Sequence, residues 1–315
     1  MRTGRASALT DTGRRRPHNE DTFVCVPPLF AVADGVGGAQ AGEIASRLAA
    51  ATLEERAPDA LGEGTLARLL LEANNRIYTR ALGDPDAAGM GTVVTALLVD
   101  EAAGTVAIGH VGDSRAYRLR NGALEQLTPD HSLVGELVRA GRLSIEEAEQ
   151  HPHRSVITRA VGTEPVVDVH TETLPTAPDD LYLICSDGLT DIVRDERILE
   201  LIVAADRDPE KAVEFLVDAA NEAGGIDNIT VVIFEILDGD PVPLPDLGPT
   251  LGEPDDDTAE HAAESEADVV SDPALASVVP VHRHGAGAGG RWLALVTILL
   301  TIAVAALVIW WSLKR

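Results

Sequence analysis

Five apolar runs of this chain carry a carboxylate at one end, and that recurrence constrains the fold more than any other feature. "TFVCV" is preceded by Glu20 and Asp21, "LFAVA" is closed by Asp34, and "TVAIGHVG" is followed by Asp113. "DLYLICS" is followed by Asp187, and "NITVVIFEI" is preceded by Asp227. Short apolar runs rich in β-branched and aromatic residues read as strands. A single Asp at a strand end is ordinarily a turn residue or a helix cap. Five such ends are a different matter. If they converge, they gather about five negative charges, which cannot persist buried without cations. An oxygen-only set without His or Cys suits hard ions, Mg2+ or Mn2+, and two such ions can deprotonate a bridging water and neutralise a phosphoryl group.

The glycines after Asp34 fit this reading. Gly35 lets a backbone carbonyl approach an ion, and Gly37 and Gly38 allow a tight turn beside it. A dinucleotide-binding G-x-G-x-x-G starting at Gly35 would need glycine where Gln40 stands, and no Walker A sequence occurs.

"TVVTALLV" and "AYRLR" complete the strand signals, and Asn121-Gly122 within "YRLRNGALEQLT" marks a hairpin. Helical periodicity covers Gln40 to Glu55, Thr65 to Leu82, Leu133 to Ala140, Glu196 to Ala204 and Pro209 to Ala223. "LSIEEAEQ" carries a capping box, Ser144 with Glu147. Strands cluster with strands and helices come in blocks, which predicts an α+β fold rather than alternating βαβ units.

Lys and Arg number 25 against 51 Asp and Glu, a formal charge of −26. So acidic a chain lacks the basic face that a nucleic-acid partner requires. Cys25 and Cys185 each lie inside an apolar run, which fits a reducing compartment and no disulfide framework. No signal-peptide-like stretch opens the sequence, so its front is expected to stay in the cytoplasm.

Composition divides the chain into three parts. Residues 1–237 are mixed and periodic. Residues 238–290 are rich in Pro, Gly, Ala and acid, with no aromatic residue and Arg283 as the single Lys or Arg. That composition predicts a disordered, self-repelling linker, spanning roughly 40 Å as a flexible coil. Residues 291–315 contain Trp292 to Trp311, an uncharged run flanked by Arg291 on one side and by Lys314 and Arg315 on the other. As a helix it is about 30 Å long, and its terminal tryptophans suit two interfaces, which predicts a single membrane span.

"RPHNED", "ADGVGG", "GHVGDSRAY", "LTPDHS", "CSDGLTD" and "GGIDNITVV" stand in the order found in metal-dependent protein phosphatases. From Thr10 to about Ile236 the chain resembles that family, protein phosphatase 2C (PPM), in its bacterial form. The resemblance implies a four-layer α-β-β-α sandwich, two antiparallel sheets flanked by helices, with the metals at one end. It implies that Asp34 bridges two core ions, that the Gly35 carbonyl binds one of them, and that Asp187 and Asp227 bind the other. Asp113 resembles an acid that helps to hold a third ion with Asp187, and Glu20 and Asp21 resemble acids acting on the core ions directly or through water. Arg16 matches the arginine that grips the substrate phosphate, a task suited to its planar fork. Arg14 and Arg15 read as solvated surface bases.

The implied reaction is hydrolysis of phosphoserine and phosphothreonine on proteins by a dimetal-bound water, opposing bacterial Ser/Thr kinases from the cytoplasmic side of the membrane. The chain has Val36 where many eukaryotic relatives have histidine after Asp-Gly. The general acid is therefore open between a metal-bound water, which is preferred, and His110, His131, His151 or His153. Thr128 to Arg159 resembles the mobile flap beside the bacterial site, Asp191 reads as a supporting or capping residue, and Ser114 and Arg115 read as structural. The alternative is a catalytically silent, membrane-anchored sensor or scaffold. A phosphatase acting on anti-sigma-factor antagonists would share the chemistry and differ in partner.

Overall fold

The central strands bury both of their faces, which is why they read as unbroken apolar runs. In the computed structural model, which describes residues 1–36, 41–56 and 61–239, ten strands form two five-stranded sheets. One has the order β1 (Arg2–Asp11), β10 (Ile229–Leu237), β9 (Leu181–Cys185), β6 (Arg115–Arg120), β7 (Ala123–Gln126). The other has β2 (Thr22–Val26), β3 (Leu29–Val36), β4 (Gly91–Asp100), β5 (Thr105–Val111), β8 (His170–Pro175). Every pairing is antiparallel.

Side chains alternate between two cores along each strand. On β3, Phe30 and Val32 face the other sheet, where they meet Val232 and Phe234 of β10. The Phe30 and Phe234 rings stack with centroids 4.0 Å apart, and Tyr182 stacks on Phe234 at 5.1 Å. Leu29, Ala31 and Ala33 point outward under α1 (Ala41–Arg56) and α2 (Glu63–Gly83). Ile229, Val231 and Ile233 do the same beneath α6 (Asp195–Ala204) and α7 (Pro209–Glu222). The result is the expected four-layer α-β-β-α sandwich.

Short helices α3 (Leu133–Arg139), α4 (Ile145–Glu149) and α5 (Asp187–Thr190) fill the connections. The Ser144–Glu147 capping box closes reciprocally on α4. Asn121 and Gly122 both adopt positive φ, 51° and 79°, as a two-residue hairpin turn requires. The periodicity did not reveal β1, β8 or α5. Both strands are sheet edges whose sequences, "RTGRASALTD" and "HTETLP", lack an apolar run.

Both cysteines are free, with Cys185 fully enclosed in the sheet. Among the described residues no helix is long and apolar enough to cross a membrane. The linker beyond Gly239, the apolar segment 291–315 and the Gly37-Gly38 turn lie outside the described residues.

Candidate active site

Strand register brings the acids together. β2 enters beside the exit of β3, with Thr22 opposite Ala33, so Asp21 and Asp34 are neighbours across that pair. The exit of β5 lies two strands away, Val111 opposite Val94 of β4, and there Gly112 (φ 120°) turns the chain into Asp113. In the other sheet β9 leaves where β10 enters, Cys185 opposite Val231, which places Asp187 beside Asp227. The two sheets are joined at this end by Thr230, whose Oγ1 donates to Asp21 Oδ2 at 2.6 Å. The five strand ends therefore meet at one end of the sandwich.

Their electrostatics follow from crowding. Burial, and then the charges of Asp21, Asp187, Asp113 and Asp227, push Asp34 well above the usual carboxylate range. Asp187 is pushed up in the same way by burial, Asp113, Asp191 and Asp227. Asp21 rises to about 6 through burial, against the Thr230 bond that favours its charge. Asp113 rises to about 7 through burial and the nearby Asp130. Glu20 is also raised by burial, with Arg16 opposing. Several like charges drawn out of water are unfavourable unless cations join them.

The donor set fits hard divalent ions. It is all oxygen, and both Asp21 Oδ1 and Asp113 Oδ1 are buried with no hydrogen-bond partner. Gly35 is also where no side chain fits, since a Cβ would lie 2.5 Å from the Gly42 carbonyl and 2.7 Å from the Glu20 carbonyl oxygen. Among the described residues no three His, Cys, Asp or Glu side chains form a ready-made metal-holding group. The acids lie within electrostatic reach of one another without meeting at a single point.

Arg16 is with them. Its Nη2 donates to Asp227 Oδ2 at 2.6 Å, while the other Asp227 oxygen accepts from the Asn228 N–H at 2.8 Å. The loop that bears Arg16 is clasped by Asn228, whose Nδ2 donates to the carbonyls of Thr12 and His18, both at 2.9 Å. Asn228 Oδ1 accepts from the Glu20 N–H at 2.8 Å. Sequence reading missed Asn228, although it stands as a polar residue opening an apolar strand, directly after Asp227. It also missed a relay behind Asp21. Asn19 Nδ2 contacts Thr10 Oγ1 at 2.8 Å, Thr10 Oγ1 contacts Thr230 Oγ1 at 2.7 Å, and Thr230 donates to Asp21.

His110 and His131 are tied into the sheet and loops behind the acids. His110 is enclosed within β5, bonded through Nδ1 to Thr95 Oγ1 at 2.9 Å and through Nε2 to the Pro129 carbonyl at 3.0 Å. Burial lowers its pKa to about 3, and that of His131 to about 4, so both rings are neutral near pH 7. His131 Nδ1 accepts from the Gly112 N–H at 3.0 Å and its own N–H donates to the Gly112 carbonyl at 2.7 Å. It thereby fastens the segment 128–159 to the loop of Asp113. Arg115 reinforces that attachment with a two-pronged pair to Asp130, at 2.9 and 2.7 Å. His151 and His153 lie together on that segment, ring centroids 5.8 Å apart. Asp191 caps the C-terminus of α5, its N–H donating to the Asp187 carbonyl at 2.8 Å.

Acids at converging strand ends of an α-β-β-α sandwich, with an arginine among them, agree with the sequence match. Residues 18–220 match the protein phosphatase 2C family. The chain belongs to the protein phosphatase 2C family. As a member it is a protein-serine/threonine phosphatase, a phosphoric monoester hydrolase. It is 40% identical over 242 residues to the serine/threonine phosphatase stp of Listeria monocytogenes, covering 73% of this chain and 95% of that protein. It is 38% identical over 314 residues to the serine/threonine protein phosphatase PstP of Mycobacterium tuberculosis, covering 96% of this chain and 60% of that one. The crystal structure of that PstP superposes with a TM-score of 0.70 at 38% identity, over 74% of this chain and 99% of that one. A second structure, the PstP catalytic domain in complex with two manganese ions, matches with a TM-score of 0.67 at 38% identity, over 74% and 98% of the two chains. The all-oxygen donor set of the present chain is of the kind that suits a hard divalent ion such as the manganese in that structure.

Proposed function

We propose that this phosphatase 2C hydrolyses phosphoserine and phosphothreonine on proteins, opposing Ser/Thr kinases, at the acid cluster formed by Asp21, Asp34, Asp113, Asp187 and Asp227. The observation that carries the reading is the convergence of these acids with Arg16 at one end of the sandwich. Asp34, the Gly35 carbonyl, Asp187 and Asp227 would hold two core ions, with Glu20 and Asp21 supporting them and Asp113 serving a third. Mn2+ or Mg2+, when bound, supplies activation of water and neutralisation of phosphoryl charge. Arg16, half exposed and set on a clasped loop, exchanges its Asp227 contact for phosphate oxygens and orients the ester. Asn228 and the Thr10–Thr230 relay hold the Arg16 loop and Asp21 in place. His110 and His131 are enclosed, with ring nitrogens engaged by Thr95, the Pro129 carbonyl and the Gly112 N–H, which argues against either as the proton donor to the leaving oxygen.

The decisive assay measures phosphate release from a phosphothreonine peptide with Mn2+, with Mg2+ and with chelator. Hydrolysis that needs metal and is lost in Asp187→Asn is expected. Turnover unaffected by chelator would overturn the reading.

The segment 291–315 is proposed as a single membrane span that holds the catalytic residues 1–237 at the cytoplasmic face, joined through the acidic linker 238–290. The support is its uncharged run from Trp292 to Trp311 with flanking bases. A chain ending at Gly290 should leave the membrane fraction and stay active; continued sedimentation with membranes would refute the anchor.

A further inference from the structure

Arg16 is the last of three consecutive arginines, and the other two have no assigned task. Arg14 and Arg15 are exposed, and among the described residues neither guanidinium is ion-paired. On a chain of formal charge −26 this is unusual company for two free cations.

Their backbone, by contrast, is held firmly. The N–H groups of Arg14 and Arg15 both donate to the Gly225 carbonyl, at 2.7 and 3.1 Å. Gly13, at φ 78°, seats so closely on the Asp227 carbonyl that a Cβ would overlap it. Asn228 closes both stems of the loop through Thr12 and His18. The loop backbone is therefore fixed against the segment that carries Asp227, and its two exposed cations directly precede Arg16 in the chain. Consecutive Cα atoms lie about 3.8 Å apart, so Arg14 and Arg15 stand within about 8 Å of Arg16 at the backbone, the length of two or three residues of an extended peptide.

We infer that Arg14 and Arg15 form a cationic rim that selects phosphorylated segments bearing a second anionic group, a carboxylate or another phosphate, within about three residues of the phosphoserine or phosphothreonine. This rests on the phosphatase reading above and specifies its substrate class. Arg16 engages the phosphate that is hydrolysed; the rim engages the neighbouring anion. Two solvent-exposed cations contribute modestly and in a salt-dependent way, which suits a selectivity filter acting through KM.

The test compares the full chain with an Arg14→Gln/Arg15→Gln double variant in Mn2+. The substrates are a phosphothreonine peptide flanked by alanines, the same peptide flanked by Asp and Glu, a doubly phosphorylated peptide, and p-nitrophenyl phosphate, which has no flanks. The wild type should favour an anionic-flanked peptide over the neutral one by roughly three- to tenfold in kcat/KM, with the preference shrinking as salt rises. The double variant should lose that preference while keeping its turnover of the neutral peptide and the small ester. Gain on the acidic peptide identifies a carboxylate as the second anion, and gain on the doubly phosphorylated peptide alone identifies a phosphate. An unchanged preference in the double variant, or none in the wild type, overturns the rim. Anisotropy binding of the same peptides in chelator separates this from the parent reading. If no substrate is hydrolysed, the phosphatase assignment falls, while Arg-dependent tighter binding of the anionic peptides would still support the rim and equal binding would overturn it.

Discussion

Arg16 Nη2 lies 2.6 Å from Asp227 Oδ2, so the residue proposed to meet the substrate and a residue proposed to hold metal are in direct contact. Their side chains are 51% and 29% exposed, which places the pair among partly solvated ion pairs worth at most about 1 kcal/mol. Arg16→Ala should therefore leave the urea midpoint nearly unchanged. Its kcat/KM on phosphopeptides should fall on the order of 10- to 100-fold, because a two-pronged phosphate contact is lost. Arg16→Lys should recover only part, since an ammonium cannot pair two oxygens in a plane. An Arg16→Ala enzyme with unchanged kinetics would remove Arg16 from substrate binding.

The acid cluster trades stability for function. Burial and the surrounding carboxylates oppose charge on Asp34. Asp34→Asn removes one of those charges without changing its shape. In chelator it should melt at a higher temperature than the parent, while metal-dependent phosphate release falls by on the order of 10³-fold or more. Equal melting temperatures in chelator would show that the carboxylates do not repel one another in the fold.

The same crowding sets a pH dependence. Asp21 at about 6 and Asp113 at about 7 both sit above the ordinary value of 3.8. The folded chain then binds more protons than the unfolded chain between those values. Stability from these groups is fully present below 3.8 and is lost as pH rises through about 6 to 7. Denaturant melts in chelator should therefore show a midpoint that falls from about pH 6.5 to pH 8, above the range in which the buried neutral His110 and His131 oppose the trend, and added Mn2+ should flatten the profile. A midpoint that rises over that range would contradict the assignment.

The central strands were legible because both faces of β3 and β10 are apolar, one toward each core, which leaves an unbroken hydrophobic run in the sequence. Edge strands β1 and β8 were not, because they have one neighbour and half-buried faces that accept Ser, Thr, Arg and Glu. At the site, acids standing next to strand ends could be read locally. Their supports could not. Thr230 reaches Asp21 across 209 residues and Asn228 reaches His18 across 210, and nothing near either residue announces the partner. Arg14 and Arg15 read as ordinary surface bases because the carbonyl that fixes their loop, Gly225, is equally remote in sequence.

The relay behind Asp21 has a direct test. Asp21 Oδ1 already has no partner, so Thr230 supplies one of the few donors to this buried carboxylate. Thr230→Val is nearly isosteric and removes that donor, and it leaves the Thr10 hydroxyl with only its Asn19 contact. Loss of a buried bond to a charged group should cost about 1–3 kcal/mol in urea unfolding. Thr10→Val, one step further from the carboxylate, should cost less. The reverse order would mean that the hydroxyls serve packing rather than Asp21.

Gly188 tests how the two halves of the site are held together. It is the second residue of α5, directly after Asp187, and a Cβ there would overlap the backbone carbonyl of Asn228. Its φ lies outside the left-handed region, so alanine meets no dihedral penalty; the obstacle is the close approach of α5 to the entry of β10. Backbone cannot yield as a flexible side chain can, so Gly188→Ala must push α5 from Asn228 and with it move Asp187 away from Asp227. The expected cost is about 1–3 kcal/mol of stability or more, together with weakened Mn2+ affinity. Gly64→Ala is the matching control, because Gly64 sits in α2 with no heavy atom within 4 Å of the added methyl. There the substitution should stabilise by roughly 0.5–1 kcal/mol, as Ala replaces Gly in a helix, and leave kcat/KM intact. If Gly188→Ala kept full Mn2+ affinity, the spacing of Asp187 and Asp227 would not depend on this contact.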